Sequence, residues 1–433
     1  MAAGRPSLTS AWLLPVLAAA CLAGYVFVYA TGRAGPPIRS DGFSYYVYLP
    51  AWFIYGDPSL GSVARDCCGG TFPDFTAIIR WPGTRRWVNA HPIGVAILQS
   101  PFFLTAHALT YWTNLSPDGF TLYYQHGAGL SGLAWTVAGL ALLRRLLRRH
   151  FSDGVTAATL VVLLFGTNLY HYATYDSSYS HPYSFALCAA LLLLTELWYE
   201  SATMRRTILL GIVSGLMVLT RHTNVLLLAI IPLYGVTTFG LQAAVERLRE
   251  RATALALLAT IIIVVVAPQV VIYYRATGRL IVSSYGALGF TFASPHIAGV
   301  LFSVQKGLFF WSPLLLFAVA GLAMLRRRLR AFLLPIVLVL GADTYLIASW
   351  WDWQFGGSYG HRAFVDVLPM LALGLATFFE WSTKNRFRLA TVTTITVLAT
   401  GLSIFQMLQY WNHVLPISDT TWTQYRELFL QWR

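Results

Sequence analysis

The chain has 433 residues, 57% hydrophobic and only 11% charged, with a net charge of +13 and a mean hydropathy of +0.59. A soluble domain carries about 25% charged residues, so a water-solvated globule is excluded and lipid is the expected solvent. The basic residues fall in short clusters between apolar runs, as the positive-inside rule demands; this argues against a nucleic-acid surface, where they would share one face.

In chain order, the apolar run from Trp12 to Ala30 exceeds the roughly 7–15 residues of a signal-peptide core. It reads as a retained first span with Arg5 on the cytoplasmic side. Further basic clusters are Arg144-Arg145 with Arg148-Arg149, Arg205-Arg206, Arg247 with Arg249 and Arg251, Arg326-Arg327-Arg328 with Arg330, and Lys384 with Arg386 and Arg388. Placing each in the cytoplasm, and allowing roughly 20 apolar residues per crossing, predicts about eleven spans. They cover 12–30, 124–143, 155–172, 183–199, 207–220, 223–240, 253–274, 308–325, 331–350, 364–382 and 389–410. The expected fold class is an all-α polytopic membrane protein. One transmembrane domain covers 1–410, and an extracytoplasmic tail covers 411–433.

The first external loop, 31–123, is long enough to carry function or its own structure. It holds an amphipathic stretch from Phe43 to Tyr55 and a Gly/Pro/Cys-rich middle from Gly56 to Pro82. Cys67 and Cys68 are adjacent there; a bridge between neighbours is strained, so they are expected to be free or weakly redox-active. Cys21 and Cys188 lie in apolar runs and read as packing residues. Residues 92–110 are apolar, but no cytoplasmic charge follows them, and counting them as a crossing would put Arg144–Arg149 outside. They are expected to form an interfacial or re-entrant helix on the outer face.

Polar residues collect on that outer face. Asp41, in Arg39-Ser40-Asp41-Gly42-Phe43-Ser44-Tyr45-Tyr46, is either a general base whose pKa partial burial raises or a helix N-cap. Asp176 and His181, in Thr174–Pro182, suit acceptor orientation, proton transfer or a metal, or else a solvated turn before a helix-starting proline. Arg221, His222 and Asn224 interrupt an apolar run; charges at such depth are functional by default, and arginine holds phosphate bidentately. Lys306 is one of two lysines and precedes a span, where it suits a phosphate or plain interface anchoring. Trp350–Arg362 offers Trp351, Trp353 and Tyr359 for sugar faces, Gly356-Gly357 for close backbone approach, and His361 and Arg362 for phosphate. No Walker loop, dinucleotide fingerprint, zincin motif or serine elbow is present, so a soluble nucleotide donor is disfavoured.

These motifs resemble those of the GT-C superfamily of membrane glycosyltransferases, in the branch of protein O-mannosyltransferases and the lipid A aminoarabinose transferase. Asp41 matches the acid of that family's first external loop, although Gly42 stands where many members have a second acid. Asn89-Ala90-His91-Pro92-Ile93-Gly94 resembles its interfacial turn, with His91 where lysine is often seen. Ser180-His181-Pro182 stands at a later acid-Pro position, with Asp176 slightly earlier. Phe165–Asn168, Gly307–Pro313 and Gly356–Arg362 look like segments of bacterial relatives. The resemblance implies a polyprenyl-phosphate-linked sugar donor and transfer at the extracytoplasmic face of a bacterial inner membrane, commonly with inversion.

The expected function is transfer of that sugar to a hydroxyl acceptor on a glycan, lipid or protein. Asp41, Asp176 and His181 are the expected catalytic residues. Arg221, Lys306, His361 and Arg362 would bind the donor phosphate, and His91, Tyr45, Trp351, Trp353 and Tyr359 would bind substrate. No cofactor is expected, and a divalent metal is not favoured, because oxygen-ligand sites usually want several carboxylates. The alternative is a polyprenyl-lipid or polysaccharide transporter, which predicts pseudo-symmetric halves; no internal repeat stands out. A non-catalytic envelope scaffold is the third reading.

Overall fold

The computed structural model describes residues 8–74, 76–282, 289–325 and 329–432. Arg5 and the Arg326–Arg328 cluster lie outside the described residues. The helices are α1 Leu8–Ala30, α2 Asp41–Tyr46, α3 Tyr48–Phe53, α4 Gly61–Cys68, α5 Gly94–Thr110, α6 Leu122–Leu147, α7 Asp153–Phe165, α8 Leu169–Thr174, α9 His181–Glu200 and α10 Met204–Thr220. They continue with α11 Ile230–Phe239, α12 Leu241–Glu250, α13 Ala252–Thr277, α14 Ile297–Phe302, α15 Leu308–Trp311, α16 Leu315–Ala323, α17 Arg330–Ser349, α18 Leu368–Ser382, α19 Arg386–Trp411 and α20 Trp422–Leu428. Short 3-10 helices, His222–Ala229 and Arg362–Val367, lead into α11 and α18.

Among the described residues, eight helical segments are long and apolar enough to cross a membrane, so the chain is a multi-pass membrane protein. The count of eleven is not reached by length alone. The expected span 155–172 breaks at Gly166 into α7 and α8, 308–325 breaks at Ser312-Pro313 into α15 and α16, and α10 has only 17 residues. Proline lacks the N–H that would continue the ladder, which accounts for the second break.

The α9 segment and the Arg362–Ser382 segment are each 89% buried, against 11–50% for the other six. These two form the centre, and the remaining helices keep one face outward. Apolar residues run all round α9, as a fully enclosed helix requires. Close backbone approach fixes the packing: a Cβ on Gly321 of α16 would lie 1.8 Å from the Gly374 carbonyl oxygen of α18.

The loop 31–123 has its own apolar core, built on Tyr46, Tyr48, Leu49, Val63, Phe72, Ile78 and Phe103. It contains a hairpin that the sequence reading did not anticipate. Strands β1 Ile78–Arg80 and β2 Trp87–Asn89 pair antiparallel with Ile79 opposite Val88. Cys67 and Cys68 form a disulfide at the end of α4, which corrects the expectation of free thiols. The helix stops there, with Gly69 in the left-handed region at φ 63°. Helix α5 runs along α6 and α10. Trp135 donates to the Leu98 carbonyl at 3.2 Å, His107 Nδ1 meets Tyr124 Oη at 2.5 Å, and Gly94 rests on the Leu219-Thr220 backbone. Helix α5 therefore starts beside the last turn of α10 and ends beside the first turn of α6. The described basic clusters lie at the opposite end of the bundle, where Arg149 pairs with Glu196 at 2.8 Å.

Candidate functional site

The bundle end that carries the loop gathers three acids, Asp41, Asp176 and Asp366, with five cationic or imidazole partners, Arg39, His171, His181, Arg221 and Arg362. Asp41 is the first residue of α2. Ser40 precedes it at φ 46°, ψ −131°, with no side-chain cap. A non-glycine residue in that region is strained and persists only where its surroundings hold it. Asp41 is therefore not the N-cap residue. Its Oδ2 meets Arg362 Nη1 at 3.0 Å, and its side chain is 26% exposed. Burial pushes the Asp41 carboxyl up. Arg362, helped by His91, His181 and Arg221, more than offsets this and holds it below the usual carboxylate range. This reverses the expected raised pKa: an adjacent guanidinium outweighs desolvation.

Gly42 is required where the family resemblance expects a second acid. A Cβ there would stand 2.2 Å from Ser178 Oγ, which itself donates to the Pro37 carbonyl at 2.6 Å.

Asp176 and His181 do not form one unit. Asp176 accepts from Arg39 Nη2 at 2.8 Å and meets His171 Nε2 at 2.9 Å; Trp411 Nε1 then donates to His171 Nδ1 at 2.9 Å. Burial raises the Asp176 carboxyl, but Arg39 and His171 bring it down to about 2. His181, at the start of α9, meets Asp366 Oδ1 at 2.9 Å, and Arg221 Nε reaches Asp366 Oδ2 at 3.5 Å. Asp366 is 4% exposed. The sequence reading missed it, although a lone acid inside an apolar run is itself a functional signal. It also gave no role to Arg39, which opens the Asp41 segment, or to His171, which no motif marks.

Arg221 and Arg362 come together around one ring: their guanidinium carbons lie 5.7 and 5.8 Å from the Phe355 centroid. Phe355 and Gly356 both take positive φ, 58° and 57°, which turns the chain between Trp353 and Arg362. Arg362 Nε is buried with no hydrogen-bond partner among the described residues, as are His91 Nδ1 and His361 Nδ1. Unpartnered buried donors call for an explanation such as a ligand.

The remaining expected site residues divide. His91 is buried against Tyr45, ring centroids 4.3 Å apart. Burial, opposed by Asp41 and reinforced by Arg221 and Arg362, lowers His91 to about 4. His361 Nε2 bonds the Trp353 carbonyl at 2.9 Å, and its pKa falls to about 3 through burial. Lys306 is not a surface cation. It is 2% exposed and donates to the carbonyls of Ser358 and Ile417; burial lowers it to about 7. Tyr359 is likewise core: its hydroxyl donates to the Ser403 carbonyl at 2.8 Å. Trp353 packs on Gly299 and stacks with His296, whereas Trp351 is 48% exposed. Among the described residues no group of three His, Cys, Asp or Glu converges as a metal site.

Fold and site define a multi-pass, predominantly helical membrane protein with buried acid–base pairs gathered at the bundle end that carries the loop. The chain is similar to the archaeal oligosaccharyltransferase AglB from Archaeoglobus fulgidus, solved with an inhibitory peptide and a dolichol-phosphate. The TM-score is 0.52 at 12% identity, covering 99% of this chain and 60% of that one. This chain thus spans about 60% of that protein's matched chain, and at this identity the likeness concerns the fold. No protein-family model matches the chain, and no curated protein matches it.

Proposed function

We propose that this protein is a membrane glycosyltransferase that moves a sugar from a polyprenyl-phosphate-linked donor to a hydroxyl acceptor at the extracytoplasmic face of a bacterial inner membrane. The loop 31–123 would then lie outside, with α5 against the outer half of the bundle. The observation that carries the reading is the Asp41–Arg362 pair, set beside a second guanidinium, Arg221, and an unpartnered Arg362 Nε.

In this reading the donor phosphate takes Arg362 and Arg221, since guanidinium donors match phosphate oxygens bidentately. Drawing Arg362 onto the phosphate weakens its hold on Asp41 and raises the basicity of that carboxylate. The acceptor oxygen attacks the anomeric carbon as the bond from that carbon to the phosphate oxygen breaks. The acceptor proton passes to Asp41, and the electron pair leaves on the polyprenyl phosphate, whose charge the two arginines stabilise. The His181–Asp366 pair holds Arg221 in place. Asp176 supports the loop through Arg39, and Lys306 supports the 353–362 turn.

The test is single turnover in nanodiscs with a panel of radiolabelled polyprenyl-phosphate sugars and a crude envelope acceptor, comparing wild type with Asp41→Asn. Label transfer that disappears in a folded Asp41→Asn protein supports the assignment. Full activity in that variant sinks the base; donor binding without transfer turns the reading toward a transporter.

A further inference from the structure

A groove of about 840 Å³ lies between the loop and the end of α13, apart from Asp41. Trp52, Trp87, Tyr48 and Tyr274 line it, with Arg86 and Arg275 at its rim. Two of its polar side chains, Asp57 and Asn89, are already engaged. Asp57 accepts from Ser59 and Ser62. Asn89 donates to the Ser44 carbonyl and accepts from the His91 N–H. Among the described residues the guanidinium groups remain largely for a ligand: Arg86 uses one nitrogen on the Arg275 carbonyl, and both arginines are exposed. Arg80 and Arg279 add positive charge nearby, stacked on Trp87 and Trp81.

The position of the groove at the end of α13 favours a polar occupant over a hydrocarbon chain. Helix α13 has 26 residues, about 39 Å at 1.5 Å per residue, against a hydrocarbon core of about 30 Å. Its arginine-clustered start packs at the far end, where Arg251 donates to the Trp198 carbonyl. The groove uses only residues 271–278, the C-terminal end of a helix longer than the roughly 20 residues a crossing needs. Aromatic faces with free guanidinium groups in a water-facing cleft suit sugar rings that carry anionic groups. The groove backs onto the helix that carries Asp41. Asn89 is both its lining and a ligand of Ser44, which sits on the same short helix as Asp41.

We infer that this groove is an acceptor subsite for an anionic glycan, with sugar rings on Trp52 and Trp87 and carboxylate or phosphate groups on Arg86 and Arg275. The word acceptor rests on the transferase reading above; the ligand chemistry does not.

The experiment is calorimetric titration of the full chain, in phosphatidylcholine nanodiscs, with trigalacturonate and with neutral trigalactose. The charged probe should bind roughly 2- to 30-fold more tightly, as two exposed guanidinium contacts imply, and should weaken with added salt. Arg86→Gln with Arg275→Gln should reduce its affinity to that of the neutral sugar, while Lys384→Gln at the opposite end leaves it unchanged. Should the double variant not fold, Arg275→Gln alone and the wild-type salt titration carry the same comparison. Equal binding of the two sugars, or tight binding that survives loss of both arginines, overturns the proposal. So does an arginine-dependent thermal stabilisation by phosphatidylglycerol nanodiscs without trigalacturonate binding, which would make the surface a lipid-headgroup site. Because the readout is binding, a protein that binds trigalacturonate but transfers no sugar would sink the transferase reading and leave the groove assignment standing.

Discussion

The carboxylate of Asp41 meets the guanidinium of Arg362 at 3.0 Å, joining the start of the first loop to the entrance of the buried α18 segment. Arg362 sets the charge state of Asp41: the carboxyl stays ionised below its ordinary range because this cation outweighs burial.

Arg362→Gln should therefore raise the Asp41 pKa, because it removes the adjacent opposite charge that holds it down. In wild type the folded pKa lies below the unfolded one. The pair's contribution to stability is thus present above the unfolded carboxylate value, near 4, and is lost as pH falls through the lower folded value. In the variant, the acid limb of any Asp41-dependent activity, and the acid loss of stability, should move to higher pH. An unmoved acid limb would remove Asp41 from the reaction.

Asp366→Ala should be far more damaging than Asp41→Asn. It leaves His181 and Arg221 without their shared carboxylate, and breaking a buried pair costs about 3–5 kcal/mol. A thermal shift assay in detergent should show a large fall in Tm for Asp366→Ala and a small one for Asp41→Asn. Similar falls would mean that Asp41 is also mainly structural.

Gly42→Ala should lose stability by about 1–3 kcal/mol through overpacking, because the new methyl meets Ser178 Oγ. Combining it with Ser178→Gly, which removes the obstructing side chain, should recover part of the loss in a double-mutant cycle. Strict additivity would count against the contact.

Lys306→Met separates two roles. As a buried donor to Ser358 and Ile417, its loss leaves two carbonyls unpartnered, at about 1–3 kcal/mol each, and Tm should fall. A phosphate ligand would instead raise KM for the donor with Tm unchanged. The structural outcome is expected.

The sequence by itself determined the solvent of this protein, its helical class and the chain position of Asp41. Apolar run length and the placement of arginines are local properties set by the bilayer. The same logic made Arg221 visible as a charge inside an apolar run, and the aromatic, glycine-containing pattern of Trp350–Arg362 marked His361 and Arg362. Only the tertiary structure decided their partners. Asp176 and His181 are close in sequence but bind different acids and bases, because α8 and α9 turn their side chains to different neighbours. Lys306 is indistinguishable from an interface anchor until the 353–362 turn and the 417 backbone fold over it. Asp366 becomes a site candidate only when His181 and Arg221 arrive from other helices. Burial and charge pairing depend on contacts between segments distant in sequence, and apolar periodicity does not encode which segments those are.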